Sequence, residues 1–138
     1  MILIDAGPLV GLCNSRDGLH ATATTELKSM ADARFAVCEA VLLEACFLLR
    51  ASPQRQRLRD FLAQFDVTPL SHTSDPAFLE EVFDWLAKYA EHEPDWADAC
   101  IAVLSGRDRK LEVWTYDREF RTTWRRTDGS AIPMAVRG

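Results

Sequence analysis

No stretch of this 138-residue chain approaches the ~20 consecutive apolar residues that a membrane-spanning helix needs. Its first residues, Met-Ile-Leu-Ile-Asp, lack the basic region and small-residue cleavage site of a secretory signal. The expected location is therefore cytoplasmic, without a membrane partner. Cysteine is sparse and scattered. Cys13, Cys38, Cys46 and Cys100 form no C-x-x-C pair and lie among apolar neighbours, and His20, His72 and His92 are equally dispersed. That pattern excludes a zinc ribbon and reads instead as four small buried hydrophobes in a reducing compartment. Repeats, low-complexity tracts and linkers are missing too, so the chain is expected to be one domain over residues 1–138.

Positive charge is also in deficit: 16 basic groups against 21 acids leave a net charge of −5, so bulk charge does not mark a polyanion binder. The deficit is uneven. Residues 107–138 hold eight basic groups and five acids, a local +3 against −8 for the other 106 residues. Attraction depends on nearby charge, so Arg107, Arg109, Lys110, Arg118, Arg121, Arg125 and Arg126 are candidates for contact with a phosphate backbone.

At 48% hydrophobic and 27% charged residues, the composition is that of an ordinary globular chain. Short, nearly continuous apolar runs at residues 1–4, 34–37, 67–70, 111–116 and 131–136 read as buried strands. Helical patterns fill residues 8–13, 18–31, 39–50, 53–64, 75–90 and 95–104, the last stopped by Gly106. Strands alternating with helices predict an α/β fold around a mostly parallel sheet.

Five acids stand out by position. Asp5 and Asp117 directly follow the first and fourth strands, where ligands of parallel sheets bind, although either residue could simply cap the next turn. Glu44 has Ala40, Val41, Phe47 and Leu48 as helical neighbours and so lies on a face expected to be buried. It needs a cation, a donor or a wet cleft, and an arginine salt bridge is the plain alternative. Asp95 and Asp98 open a helix after Pro94 as a possible capping box, while Asp98 also aligns with the inward-facing Ile101 and Ala102. Carboxylates gathered from strand ends and inward helix faces repel by ~1–4 kcal/mol per pair unless a hard divalent cation neutralises them, which favours Mg²⁺ or Mn²⁺.

The segments MILIDAGPLVGL, VLLEACFLL, KYAEHEPDWADACIAVLS and VWTYDREF resemble the four acidic motifs of PIN-domain nucleases, most closely the small single-domain VapC-type toxins of VapBC toxin–antitoxin pairs. The resemblance spans the chain in the family's order. It implies a three-layer α/β/α domain with a five-stranded sheet of order 3-2-1-4-5, and metal-binding catalytic acids at Asp5, Glu44, Asp98 and Asp117. Asp95 matches a frequent extra acid and Thr115 a common hydroxyl of the last motif; Arg118 and Arg121 would touch the RNA backbone. His20 is expected to be structural.

The activity so implied is Mg²⁺- or Mn²⁺-dependent hydrolysis of RNA to 5′-phosphate and 3′-hydroxyl ends, with no Ser, Cys or His nucleophile. Implied partners are a small antitoxin covering the acidic groove and a second copy in a homodimer, for which Phe78, Phe83, Trp85 and Tyr89 are candidate apolar contacts. Alternatives are a housekeeping RNA-processing nuclease and an inert PIN-like binding module. A haloacid-dehalogenase-type phosphatase ranks below these, because Gly7 stands where its second aspartate belongs.

Overall fold

The computed structural model describes residues 1–72 and 74–137. The first apolar run forms β1 (Ile2–Ile4), every residue of it buried. Asp5 ends the strand and caps α1 (Ala6–Cys13), accepting the Ala6 N–H at 2.8 Å. Then come α2 (His20–Ser29), β2 (Phe35–Cys38), α3 (Glu39–Leu48), α4 (Ser52–Gln64) and β3 (Thr68–Leu70). Next, α5 (Pro76–Lys88) starts on an Asp75 cap with Pro76 at its first position, and a short 3₁₀ turn leads to α6 (Trp96–Arg107). β4 (Glu112–Trp114) and α7 (Glu119–Thr122) complete the set.

All strand pairs are parallel, in the order β3-β2-β1-β4, with Leu3 opposite Ala36 on one side and Val113 on the other. Right-handed crossovers send the α1–α4 connections to one face and α5–α6 to the other. Among the helices, α1 packs on α2, α3 and α4, and α5 packs on α6, while α3 also meets α6. This is the expected layering of helices on both faces of a parallel sheet. Phe35 anchors the core against Phe61, Phe65 and Trp114, with ring centroids 6.1–6.4 Å apart. A second aromatic group joins Trp124 to Trp85 and Tyr89. Each such fully buried side chain is worth ~1.5–3 kcal/mol of transfer free energy.

Three expectations need correction. The sheet has four strands, not five. Residues 131–136 do lie beside β4, where the Val113 N–H donates to the Pro133 carbonyl (2.8 Å) and the Ala135 N–H to the Val113 carbonyl (2.9 Å), but only Val113 and Met134 bridge. Pro133 has no N–H to extend the ladder. Helix α6 runs through Gly106 to Arg107, whose guanidinium reaches back to Asp75 and Glu81 and fastens the last turn to α5. Finally, the face of α3 that carries Glu44 is only partly buried: its Phe47 and Leu48 are 64% and 52% exposed, and Leu43 beside it 70%.

Candidate active site

In the order β3-β2-β1-β4, chain connections reverse direction between β1 and β4, and the carboxyl ends of those strands open the crevice where α/β sheets bind ligands. Asp5 and Asp117 stand there side by side. The Asp5 backbone N–H donates to the Trp114 carbonyl (2.9 Å), continuing the strand pairing to the edge of the crevice. The Asp5 side chain, only 8% exposed, accepts the Thr115 hydroxyl at Oδ2 (2.7 Å) and the Ala6 N–H at Oδ1. Thr115 in turn accepts the Asp117 N–H (3.0 Å), so one hydroxyl ties the two strand-end acids together. Asp117 also accepts the Glu119 N–H, the capping role foreseen as its alternative.

Two further elements close on this crevice. α3 supplies Glu44, partly buried and in no ion pair among the described residues, so the arginine bridge does not form. α6 supplies Asp95 and Asp98 as a reciprocal capping box: the Asp98 N–H donates to Asp95 Oδ1 (2.8 Å) and the Asp95 N–H to Asp98 Oδ2 (3.1 Å). Capping therefore does not remove them from the site. Asp5, Glu44, Asp95, Asp98 and Asp117 all line one cavity of about 280 Å³, together with Ala6, Gly7, Leu48 and Tyr116. Among the described residues no basic side chain lines it.

The electrostatic consequence is a set of carboxyl groups held above their ordinary range. Burial raises the Asp5 pKa, and the charges of Asp95 and Asp117 add to it against the opposing Thr115 and Ala6 hydrogen bonds. Glu44 is raised by burial and by Asp95, Asp5 and Asp117. Asp98 goes furthest, to about 8, through burial and then the neighbouring Asp95 charge. The donors are all oxygen, the set that suits a hard divalent ion. Among the described residues no three His, Cys, Asp or Glu side chains yet stand as a closed metal cluster. The acids share a space without converging on one point, as uncompensated like charges do.

Other predicted residues separate. Arg118 and Arg121 lie at the mouth of an adjoining cavity beside Asp117. Arg107 pairs with Asp75 and Glu81, and Arg109 with Asp128. Arg126 is buried on Ser105 and the Arg109 carbonyl, a structural fate rather than a phosphate contact. His20 holds the Gly11 carbonyl through Nδ1 (2.7 Å). Phe78 and Trp85 belong to the core and Tyr89 packs against it, which leaves Phe83, 62% exposed, as the open member of that quartet. Tyr116 was not singled out from sequence, yet it walls the acidic cavity and its ring stands 3.3 Å from where a Cβ on Gly7 would lie. The glycine two positions after Asp5 was the available signal for that close approach.

No curated protein matches the chain. Among solved structures, it superposes on Mycobacterium tuberculosis VapC20, described as a sarcin–ricin loop cleaving toxin, with a TM-score of 0.71 and 22% identity over 88% of this chain and 93% of that one. That likeness is one of fold. The PIN domain family matches residues 2–124, a span that holds β1, α3, α6 and β4 with all five acids of the cavity. The chain belongs to the PIN domain family.

Proposed function

We propose that this protein is a divalent-metal-dependent endoribonuclease, with Asp5, Glu44, Asp98 and Asp117 as its metal-holding acids and Asp95 as a supporting one. The observation that carries the reading is five carboxylates from four separate elements lining a single cavity with no basic residue among the described ones to neutralise them. Such a set is costly as folded protein alone, and its cost falls when a divalent ion binds.

Mg²⁺ or Mn²⁺ held there would lower the pKa of water and offset the charge that develops on a phosphodiester during in-line attack. The chain's own groups supply the positioning. Thr115 fixes Asp5 and the Asp117 backbone, and the α6 capping box fixes Asp98. Arg118 and Arg121 stand beside Asp117, placed to receive the strand's phosphates.

We further assign the protein to the toxin half of a type II toxin–antitoxin pair. The VapC20 fold likeness supports this. So does the exposed apolar surface of α3 formed by Leu43, Phe47 and Leu48, of which Leu48 lines the acidic cavity. An antitoxin segment laid on that face could place an arginine among the acids. The same face is available to a second copy, which makes a homodimer its other use.

The test is cleavage of total RNA with Mg²⁺, Mn²⁺ or EDTA. We expect metal-dependent cutting by the wild type and a loss of at least ~100-fold in Asp5→Asn, whose fold persists. Equal cleavage in EDTA, or by Asp5→Asn, would refute the site.

A further inference from the structure

A second cavity, of about 200 Å³, adjoins the acidic one, and Tyr116 and Asp117 line both. Whatever occupies the second cavity and continues into the first passes along that shared wall. Charge inside it is divided. Arg118, Arg121 and Arg137 provide three guanidinium groups; Glu26 of α2 provides one carboxylate and Asp117, on the wall shared with the acidic cavity, a second. Among the described residues none of the three arginines is in ion-pair contact with Glu26. Arg121 donates to the Val136 carbonyl.

Glu26 is anchored before any ligand arrives. Its Oε1 accepts the indole N–H of Trp114 (3.0 Å) and the phenol O–H of Tyr116 (2.6 Å). Trp114 is a fully buried residue of β4, so a swing of the carboxylate would strand an interior donor. Those two bonds use up Oε1. Oε2 remains available, on a side chain that can only accept.

A cavity lined by guanidinium groups and by a fixed acceptor that is not paired with them suits a ligand bearing an anion at one end and N–H donors at the other. A nucleotide is such a ligand. Guanidinium forks match phosphate oxygens, and single-stranded RNA exposes its base edges for reading. The bases are not equal before a carboxylate. Guanine alone presents two adjacent N–H donors, N1–H and the 2-amino group, on its Watson–Crick edge. Adenine and cytosine set a ring-nitrogen acceptor beside the amino group, and uracil flanks N3–H with two carbonyl oxygens. Each of those acceptors would face Glu26 with like polarity.

We propose that this cavity reads a guanine in the RNA strand at the nucleotide next to the phosphate handled by the acidic site, with Glu26 as the specificity-determining residue and Arg118, Arg121 and Arg137 taking the phosphate. The inference rests on the nuclease reading above for its adjoining phosphate, and its test separates the two.

Binding of 5′-GMP, 5′-IMP, 5′-AMP, 5′-CMP and 5′-UMP to the full chain in EDTA is measured by calorimetry. GMP should bind ~10-fold or more tighter than the others, because its two parallel N–H groups can both converge on Oε2, whereas each other base brings an acceptor there. Inosine monophosphate, which lacks only the 2-amino group, should lose most of that advantage. Glu26→Gln keeps an acceptor for Trp114 and Tyr116 but puts an amide at the reading position. It should bring the five nucleotides within ~3-fold of one another with the melting temperature preserved. Arg121→Ala should weaken all five alike.

Equal binding of the nucleotides by the wild type, or a GMP preference that survives in folded Glu26→Gln, overturns the proposal. The inosine comparison needs no variant and decides the matter if Glu26→Gln fails to fold. A second arm sequences the ends cut from random RNA with Mg²⁺. Guanine enriched at one fixed position beside the cut supports a reader of RNA strands. Cutting without that enrichment overturns the reader, even if free GMP binds, and leaves the nuclease standing. GMP selectivity with no cutting at all refutes the nuclease reading and supports the subsite.

Discussion

Asp98 serves two purposes that pull its chemistry in opposite directions. As the third residue of α6 it closes the capping box with Asp95, which favours a polar group near the helix start. As a member of the acidic cavity it is a partly buried charge among like charges, and its pKa rises to about 8. Asparagine could still accept the Asp95 N–H while removing the charge. We therefore expect Asp98→Asn to melt several degrees higher than wild type in EDTA near pH 8, where ~1 kcal/mol is worth ~4 °C in a chain of this size, and to lose RNA cleavage. Differential scanning calorimetry and the RNA assay measure the two effects. The raised value also fixes the sign of a pH dependence. A carboxyl that holds its proton more tightly when folded stabilises the fold fully below its unfolded pKa of about 3.8, and that contribution is lost as pH rises towards about 8. Metal-free wild type should accordingly lose stability across that window in chemical denaturation. The loss should be shallower in Asp98→Asn and partly cancelled by saturating Mg²⁺.

Elements decide which of these residues could be foreseen. The ends of β1 and β4 were legible because an apolar run that stops on Asp announces both the strand and its carboxyl edge, and α3 was legible as a helix carrying an acid among apolar neighbours. Burial around α3 was not, because the pattern of Ala40, Val41, Phe47 and Leu48 does not reveal whether a partner element covers both sides, and Phe47 and Leu48 stay open. The segment at 131–136 has strand composition, and one proline limits its pairing with β4 to a single bridge. Glu26 escaped notice for a different reason: its partners Trp114 and Tyr116 lie 88 and 90 positions away, on a strand that α2 meets only after folding. The basic C-terminal section divides in the same way, by tertiary position. Arg126, buried and bonded to the Ser105 hydroxyl, acts as a bolt between α6 and the turn that follows Trp124. Arg126→Ala should cost ~2–4 kcal/mol in denaturant unfolding, by leaving buried polar groups unpaired, with little change in RNA cleavage by the folded fraction. Arg118→Ala should do the reverse, keeping stability within ~0.5 kcal/mol while weakening RNA binding and reducing its salt dependence.

At the scale of the whole molecule, a net charge of −5 and a five-acid cavity would repel RNA if charge acted only in sum. Instead the parallel sheet brings the acids to one crevice, and the cavity lined by Arg118 and Arg121 shares Tyr116 and Asp117 with it, so on the proposed reading an RNA strand would meet cations beside the acids. On the proposed reading a divalent ion makes the centre attractive to phosphate, and the proposed cleavage depends on that ion binding among the acids. Calorimetric titration of metal-free protein with Mn²⁺ tests it most directly. The account predicts saturable binding that raises the melting temperature, weakened ~10-fold or more by Glu44→Gln and by Asp98→Asn as each removes a charged oxygen donor. Absence of saturable binding, or variants that bind Mn²⁺ as wild type does, would contradict it.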